Sequence, residues 1–219
     1  QMKVTIAKYY TPSGRCIQRL DYSNRNTTGK GTSIQDSLVH NFTTKNGRPV
    51  TDGRGVTPEI EVKTKRISPL SSAMFRENIF FDFATKFYYD NPKIASAASF
   101  EISDADYEKF VQFVLKNDFK YSTGSEKALE NLKEVAENEQ YYDYAKAEYD
   151  ALVAKLSPNK ERDLKKFKSE IKELLENEII GRYYFQSGQK THDLKSDDYI
   201  LKSLEILNNK TKYNSLLSK

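Results

Sequence analysis

The sequence has few of the side chains that mark a metal or redox site. Cys16 is its one cysteine among 219 residues, which excludes an intramolecular disulfide and a cysteine-rich metal site. The two histidines, His40 and His192, are far apart and have no Cys, Asp or Glu at ligand spacing, so we expect no metal and no cofactor. The sequence also lacks a Gly-x-Ser-x-Gly elbow, a phosphate-binding glycine loop, and any run near the roughly 20 apolar residues of a membrane span.

Charge is unevenly distributed along the chain. Residues 1–66 contain 12 Lys and Arg against 5 Asp and Glu, whereas residues 67–219 contain 23 against 26. The basic side chains of the first region are scattered, without a basic helix or an aromatic stacking pattern, so nucleic-acid binding is not predicted. With 15 Tyr and 12 Phe the chain is too aromatic for disorder. These patterns indicate a folded protein with two regions.

The first 66 residues show strand and turn patterns. Residues 2–10 are predicted to form a strand, which ends at the turn Thr11-Pro12-Ser13-Gly14. Residues 21–35 are rich in Ser, Asn, Thr and Gly and are expected to form an exposed loop.

A hairpin pattern follows. Residues 38–44 and 48–51 flank Asn46-Gly47, and Ile60 and Val62 alternate with charged residues as a closing strand. Four short strands of this kind bury little surface alone, so we expect them to form the edge of a larger sheet.

Apolar residues recur at helical spacing from Ile67 onward. Ser103 is a predicted N-cap, and Thr123 with Glu126 has the form of a capping box. Ser157-Pro158 predicts another helix start, and Gly188 a helix end. The predicted helices cover residues 72–90, a stretch after 103, 123–156, 159–185, and a last stretch after Ser196.

These patterns predict a mainly α protein with a small β segment (α+β). The predicted domains are 1–66, with strands and loops, and 67–219, with helices. The helices predicted at 123–156 and 159–185 would form an antiparallel hairpin. The apolar helix stripes are interpreted as core rather than as ligand sites.

Three segments resemble one protease family. AKYYTPSGRCIQ (7–18) and NGRPVTDGRGVTPEIEV (46–62) resemble the end of the protease core in the carboxyl-terminal processing peptidases, also called tail-specific serine proteases. RYYFQSGQ (182–189) resembles a C-terminal sequence of the subgroup with a long helical tail. Arg54 stands where a third glycine is common, and Glu59 where aspartate is more usual.

The resemblance implies a parent enzyme that cleaves proteins near their C-termini in the bacterial periplasm or cell envelope. In that family a lysine deprotonates a serine nucleophile, a glutamine orients the lysine, and all three precede the segment that resembles AKYYTPSG. We therefore expect no catalytic residue in this chain, which would comprise the end of the protease core sheet and a helical domain.

Two features could be mistaken for parts of that machinery. Gly29-Lys30-Gly31 with Gln35 looks like the lysine element, but it follows the AKYYTPSG segment and its glutamine is five residues away. A lysine in such a polar loop would be hydrated and charged, hence a poor base. Ser13 lies in a turn, where its hydroxyl is expected to bond the local backbone.

The helical domain has two possible roles at this stage. It could be a buttress for the protease core, or a module for self-association or for binding an adaptor or substrate protein. The alternative is a free-standing helical adaptor without an enzymatic parent. Protein or peptide substrates are the expected partners of the parent enzyme.

Overall fold

The computed structural model describes residues 7–63 and 65–217. Within these residues it has nine α-helices and two small antiparallel sheets, which confirms a mainly α fold with a small β segment. None of the described helices is long and apolar enough to cross a membrane. In chain order the elements are β1 (Leu20–Arg25), β2 (Gly31–Ser33), β3 (Asn41–Thr43), β4 (Pro49–Thr51), α1 (Pro69–Arg76), α2 (Ile79–Asp90), α3 (Asp104–Lys116), α4 (Gly124–Asn138), α5 (Tyr142–Leu156), α6 (Lys160–Lys166), α7 (Lys168–Asp193), α8 (Asp198–Leu207) and α9 (Lys210–Leu217).

The described residues form two compact units. One contains the chain up to Lys63 together with the residues from Asp198 onward, and the other, here called the helical unit, contains the residues between them. The predicted domain boundary between residues 66 and 67 stays a prediction.

The first turn is formed as expected. Residues 2–6 of the predicted strand lie outside the described residues. Its remaining part, residues 7–10, is not a strand, because only Tyr10 pairs, in a single bridge to Cys16 across the turn. The Gly14 N–H donates to the Thr11 carbonyl, and Gly14 has φ 84°, which glycine adopts without steric cost.

The loop predicted for residues 21–35 is wrong, because this stretch forms the antiparallel β1–β2 hairpin. The Asn26 side chain accepts hydrogen bonds from the N–H groups of Thr28 and Lys30, and Gly29 has φ 77°. These contacts close a tight turn, so the flanking polar residues pair through their backbones. Composition alone did not reveal this pairing.

The Asn46-Gly47 hairpin is confirmed. Phe42 pairs with Val50 in the β3–β4 sheet, and Gly47 has φ 79°. The strand predicted around Ile60 and Val62 is wrong, since no described residue from 52 to 63 belongs to a strand. This stretch is instead held by an ion pair of 2.6 Å between Arg48 and Glu59.

The helix predicted for residues 72–90 is wrong as a single helix, because α1 and α2 meet at a break. Asn78 adopts the left-handed conformation with φ 57°, which asparagine tolerates better than most residues. The break rotates the apolar stripe. Phe75 is therefore 41% exposed, while Phe83 and Phe87 are buried.

The N-terminal caps predicted at Ser103 and Thr123 are present. The Ser103 hydroxyl accepts from the Asp106 N–H at 3.0 Å, and Thr123 and Glu126 form the reciprocal capping box. The long helix that was predicted from Thr123 is wrong in its extent: it stops at Asn138, and Gln140, with φ 62°, reverses the chain into α5. The antiparallel pair is consequently α4 with α5.

The last helices of this unit also differ from prediction. Asn159, not Ser157, caps α6, by accepting from the Arg162 N–H at 2.8 Å. The prediction that Gly188 ends the following helix is wrong as well. α7 is interrupted at Phe185 and then continues through Gly188 to Asp193.

The core of the helical unit lies between α2, α3 and α7. The Phe110 ring is fully buried, 5.5 Å from the ring centre of Phe80 and 5.0 Å from that of Phe83. α7 contributes a buried stripe, and two of its carboxylates hold the backbone next to it. Glu170 accepts from the Ser68 N–H, and Glu176 from the Ile102 N–H. The stripe consists of Ile171, Leu175, Ile179 and Ile180.

A polar cluster, here called the α6 anchor, fastens the base of the α4–α5 hairpin. The Tyr121 hydroxyl, just before α4, donates to Asp163 at 2.6 Å, and Arg162 pairs with the same carboxylate at 3.0 Å. Arg162 also donates to the carbonyls of Lys155 and Ser157 at the end of α5. Burial alone would raise the pKa of Asp163, but the Tyr121 hydroxyl and the Arg162 guanidinium outweigh it and lower that pKa.

Replacing Phe110 by alanine should remove the central ring of the core. We expect F110A to lower the free energy of unfolding by about 3–5 kcal/mol, because a buried cavity remains. Urea denaturation followed by circular dichroism measures this. Tyr89→Ala is the control, since Tyr89 is 78% exposed, and a comparable loss in both variants would contradict the assigned core.

Asp163→Asn tests the α6 anchor and its pH dependence. At pH 7 we expect a loss of about 2 kcal/mol, since a buried carboxylate with charge-assisted bonds is replaced. The folded pKa of Asp163 is lowered, so its stabilisation is present above the unfolded value of about 3.9 and disappears as the pH falls through the folded value. The difference in the free energy of unfolding between wild type and variant should therefore decrease below about pH 4. Asp90→Asn, on the exposed Lys86–Asp90 pair, should change little at either pH, and a difference independent of pH would contradict the assignment.

Candidate functional site

The lysine that resembles the family's base lies on a hairpin turn. Lys30 is exposed, directly precedes β2, and donates its backbone N–H to Asn26. Gln35, the residue that would orient it, instead precedes a short 3-10 turn at Asp36–Leu38. The turn positions the backbone of Lys30 and leaves its amine in water, where an ammonium is strongly hydrated.

The candidate serine lies on a different turn. The Ser13 hydroxyl is 2.9 Å from that of Thr11, so its partner is a side chain rather than the backbone that was expected. Cys16 is half-buried opposite Tyr10. The structure does not bring Ser13 together with a basic side chain in any hydrogen bond among the described residues.

Each histidine has a carboxylate partner that sequence spacing did not reveal. His40 Nδ1 lies 3.5 Å from Asp52 Oδ2, where His40 directly precedes β3 and Asp52 directly follows β4. His192 is buried, and its Nε2 lies 3.3 Å from Glu176 Oε2. No group of three or more His, Cys, Asp or Glu side chains that could hold a metal ion occurs among residues 7–63 and 65–217.

The buried Glu176–His192 pair connects α7 to the segment between α2 and α3. Glu176 accepts from the Ile102 N–H at 2.9 Å, and His192 Nδ1 lies 3.2 Å from the Ala97 carbonyl. Each ring nitrogen of His192 therefore faces an oxygen atom, one on the Glu176 side chain and one on the Ala97 backbone. The geometry assigns this pair to holding one segment on α7.

The RYYFQSGQ segment lines a groove between α2 and α7, here called the α7 groove. Its volume is about 590 Å³. Phe81, Tyr89 and Phe185 are more than half exposed along it. The remaining lining side chains belong to Thr85, Tyr88, Glu178, Arg182, Gln186 and Gln189.

Arg182 is the cation of the α7 groove, and all of its guanidinium nitrogens donate hydrogen bonds within the helical unit. Its Nε and one terminal nitrogen donate to the Thr85 hydroxyl, and that nitrogen also reaches the Phe81 carbonyl at 2.7 Å. The other terminal nitrogen donates to the carbonyl and the carboxylate of Glu178. The guanidinium also stacks 4.6 Å from the Phe81 ring centre. Arg182 therefore joins α2 to α7, and the groove presents no free charged donor.

The interruption of α7 lies in the same segment. Phe185 has φ 54° and ψ −161°, a region that residues other than glycine seldom adopt. The two parts of α7 are tied together across it, because Gln189 donates to the carbonyl and the side chain of Asn177. The break therefore directs the Phe185 ring to solvent, where it is 75% exposed.

These features define a helical domain with an aromatic core. Its buried or groove-lining polar side chains, Glu176, Arg182 and His192, connect one segment of the domain to another. The family model described as "Probable PDZ-protease, C-terminal helical domain" matches residues 70–207. The chain belongs to this family, which confirms the resemblance to the C-terminal region of a processing protease. No curated protein and no solved structure matches the chain.

Phe185→Gly tests the strained break. Glycine adopts this conformation freely and the exposed ring buries little, so we expect a gain of about 1 kcal/mol in the free energy of unfolding. Gln186→Gly is the matched control, because it places glycine at the adjacent helical position and should cost about 1 kcal/mol. Urea denaturation of both variants decides, and an equal loss in both would contradict the strain at Phe185.

Proposed function

We propose that this chain is the C-terminal part of a serine endopeptidase that cleaves proteins near their C-termini in the bacterial periplasm or cell envelope. The family match over residues 70–207 carries the protease origin. The serine–lysine chemistry, the cleavage specificity and the location are supported by the resemblance of residues 7–18 and 46–62 to the tail-specific proteases. In this proposal the catalytic serine and lysine belong to a part of the parent outside residues 1–219.

The chain itself is then inactive as a protease. Two observations support this part of the proposal: the hydrated position of Lys30, and the contact of the Ser13 hydroxyl with Thr11 on a separate turn. A lysine acts as a general base only when desolvation keeps it neutral for part of the time. An exposed turn offers no such desolvation.

The helical domain acts as a buttress or as a module for assembly or partner binding. The aromatic core and the α6 anchor hold the helices against one another, as a buttress requires. The exposed aromatic residues of the α7 groove and the exposed leucines of α4 and α5 favour binding as well. The alternative, a free-standing adaptor without an enzymatic parent, is disfavoured by the match to a protease family.

Hydrolysis assays test the proposal on this chain and on its full-length parent. Incubated with an unstructured protein and a fluorophosphonate probe, residues 1–219 should show neither turnover nor labelling. The full-length parent should hydrolyse the protein and carry the label on a serine outside residues 1–219. Peptide mapping of the labelled protein locates that serine.

Lys30→Ala in both proteins is the matched variant and should leave every result unchanged. Turnover by residues 1–219 that disappears in Lys30→Ala would overturn the proposed inactivity. A full-length parent without a reactive serine would overturn the assignment to serine proteases.

A further inference from the structure

The strongest unexplained surface is the helical hairpin of α4 and α5, residues 124–156, here called the acidic hairpin. Its two helices pack mainly against each other. Leu129 is the one buried residue in α4, and α5 has none. Across the hairpin, the Lys133 amine lies 5.3 Å from the Tyr142 ring centre, so these two side chains face inward.

Large apolar side chains beside this inner face remain in solvent. Leu132 is 52% exposed, Val135 43% and Leu152 44%. Leu129 on α4 and Tyr149 on α5 point towards the partner helix. Helical periodicity rotates Leu132 and Val135 away from Leu129 in the same sense about the helix axis in which it rotates Leu152 away from Tyr149. When two helices pack antiparallel, residues rotated in the same sense from the inner face lie on the same outer face of the pair. The exposed apolar residues of α4 and α5 therefore share one face of the hairpin. Tyr141 and Leu156, also exposed, lie towards the same face.

The acidic hairpin carries strong negative charge. Residues 124–156 contain eight Asp and Glu against four Lys, a net charge of −4. Glu126 belongs to the capping box and Glu137 pairs with Lys133. The other six carboxylates have no ion pair or side-chain hydrogen bond within the described part of the chain. By periodicity Glu139 and Glu148 lie on the apolar face, and the remaining four lie on its other sides: Glu130, Glu134, Asp143 and Asp150.

The hairpin is held firmly at its base. The α6 anchor fixes the chain just before α4 through Tyr121 and the end of α5 through the carbonyls of Lys155 and Ser157. The exposed face is therefore presented on a pre-organised support, which lowers the entropic cost of binding.

We propose that the apolar face of the acidic hairpin binds a cationic amphipathic helix of a partner protein. Apolar side chains on such a helix would cover Leu132, Val135 and Leu152, and its lysines or arginines would meet Glu139 and Glu148. A second copy of the hairpin also has a net charge of −4, so the two copies would repel each other. An anionic lipid surface would be repelled for the same reason. This inference goes beyond the proposed function, because binding of such a helix by this face does not depend on whether the parent is a serine protease.

A designed helical peptide of leucine and lysine, about as long as α4, provides the probe. Fluorescence anisotropy with the full chain should show saturable binding that weakens as salt is added. A twin peptide with glutamate for lysine should bind at least about tenfold more weakly. A peptide with scrambled leucine and lysine positions should also be weaker, because it has no apolar face.

Leu132→Ser with Leu152→Ser should weaken binding of the leucine–lysine peptide about tenfold, because both side chains lose apolar contact. The matched control is Leu194→Ser with Leu204→Ser, since those leucines are 54% and 50% exposed outside the hairpin. Glu139→Gln with Glu148→Gln should weaken binding and flatten its salt dependence. Circular dichroism establishes that each variant is folded.

Several outcomes would overturn the inference. One is equal binding of the lysine and glutamate peptides, and another is unchanged binding by the Leu132→Ser and Leu152→Ser double variant. Light scattering that shows a dimer dispersed by the same variant would assign the face to a second copy. Flotation with anionic vesicles that depends on these leucines would assign it to a membrane. None of these measurements involves hydrolysis, so failure here is distinct from failure of the proposed function.

Discussion

Burial of the apolar stripe of α7 against α2 is the constraint on which the rest of the helical unit depends. Ile171, Leu175, Ile179 and Ile180 recur at helical spacing and are fully buried. Complete burial of an aliphatic side chain contributes about 1.5–3 kcal/mol, whereas a hydrogen bond adds about 1 kcal/mol net. The stripe therefore sets the register of α7. That register brings Glu170 and Glu176 to the N–H groups of Ser68 and Ile102 and Arg182 to α2.

Sequence periodicity and capping chemistry predicted the helical content and several of the boundaries. Ser103 and Thr123 were predictable because each cap needs only side chains within the first helical turn. The breaks at Asn78 and Gln140 were not, since no glycine or proline marks either left-handed residue. Such a conformation is imposed by the packing of the two helices that it joins. The helix end predicted near Phe185 coincides with the interruption of α7, but its continuation to Asp193 was not predicted. The β1–β2 hairpin was missed for a related reason: its pairing uses backbone groups, which a polar composition conceals.

Some polar contacts of the helical unit were likewise predictable from the sequence, and others were not. RYYFQSGQ was noticed from the sequence, but the roles of its residues depend on α2, which precedes Arg182 by about a hundred positions. The Glu176–His192 pair was missed because its residues are 16 positions apart on an interrupted helix, and ligand-spacing rules do not extend that far. Charge counted over residues 67–219 also concealed the acidic hairpin, because its excess of carboxylates is offset elsewhere in that region.

The way in which the acidic hairpin is attached determines how it responds to stress. Its own helices bury little apolar surface, and the α6 anchor holds it chiefly through hydrogen bonds and an ion pair at one end. A segment with so few buried contacts opens at a lower free energy than the core to which it is joined. The hairpin can therefore open while the core stays folded. Insertions or deletions within the hairpin would leave the aromatic core packed as it is, because no side chain of residues 124–156 belongs to that core.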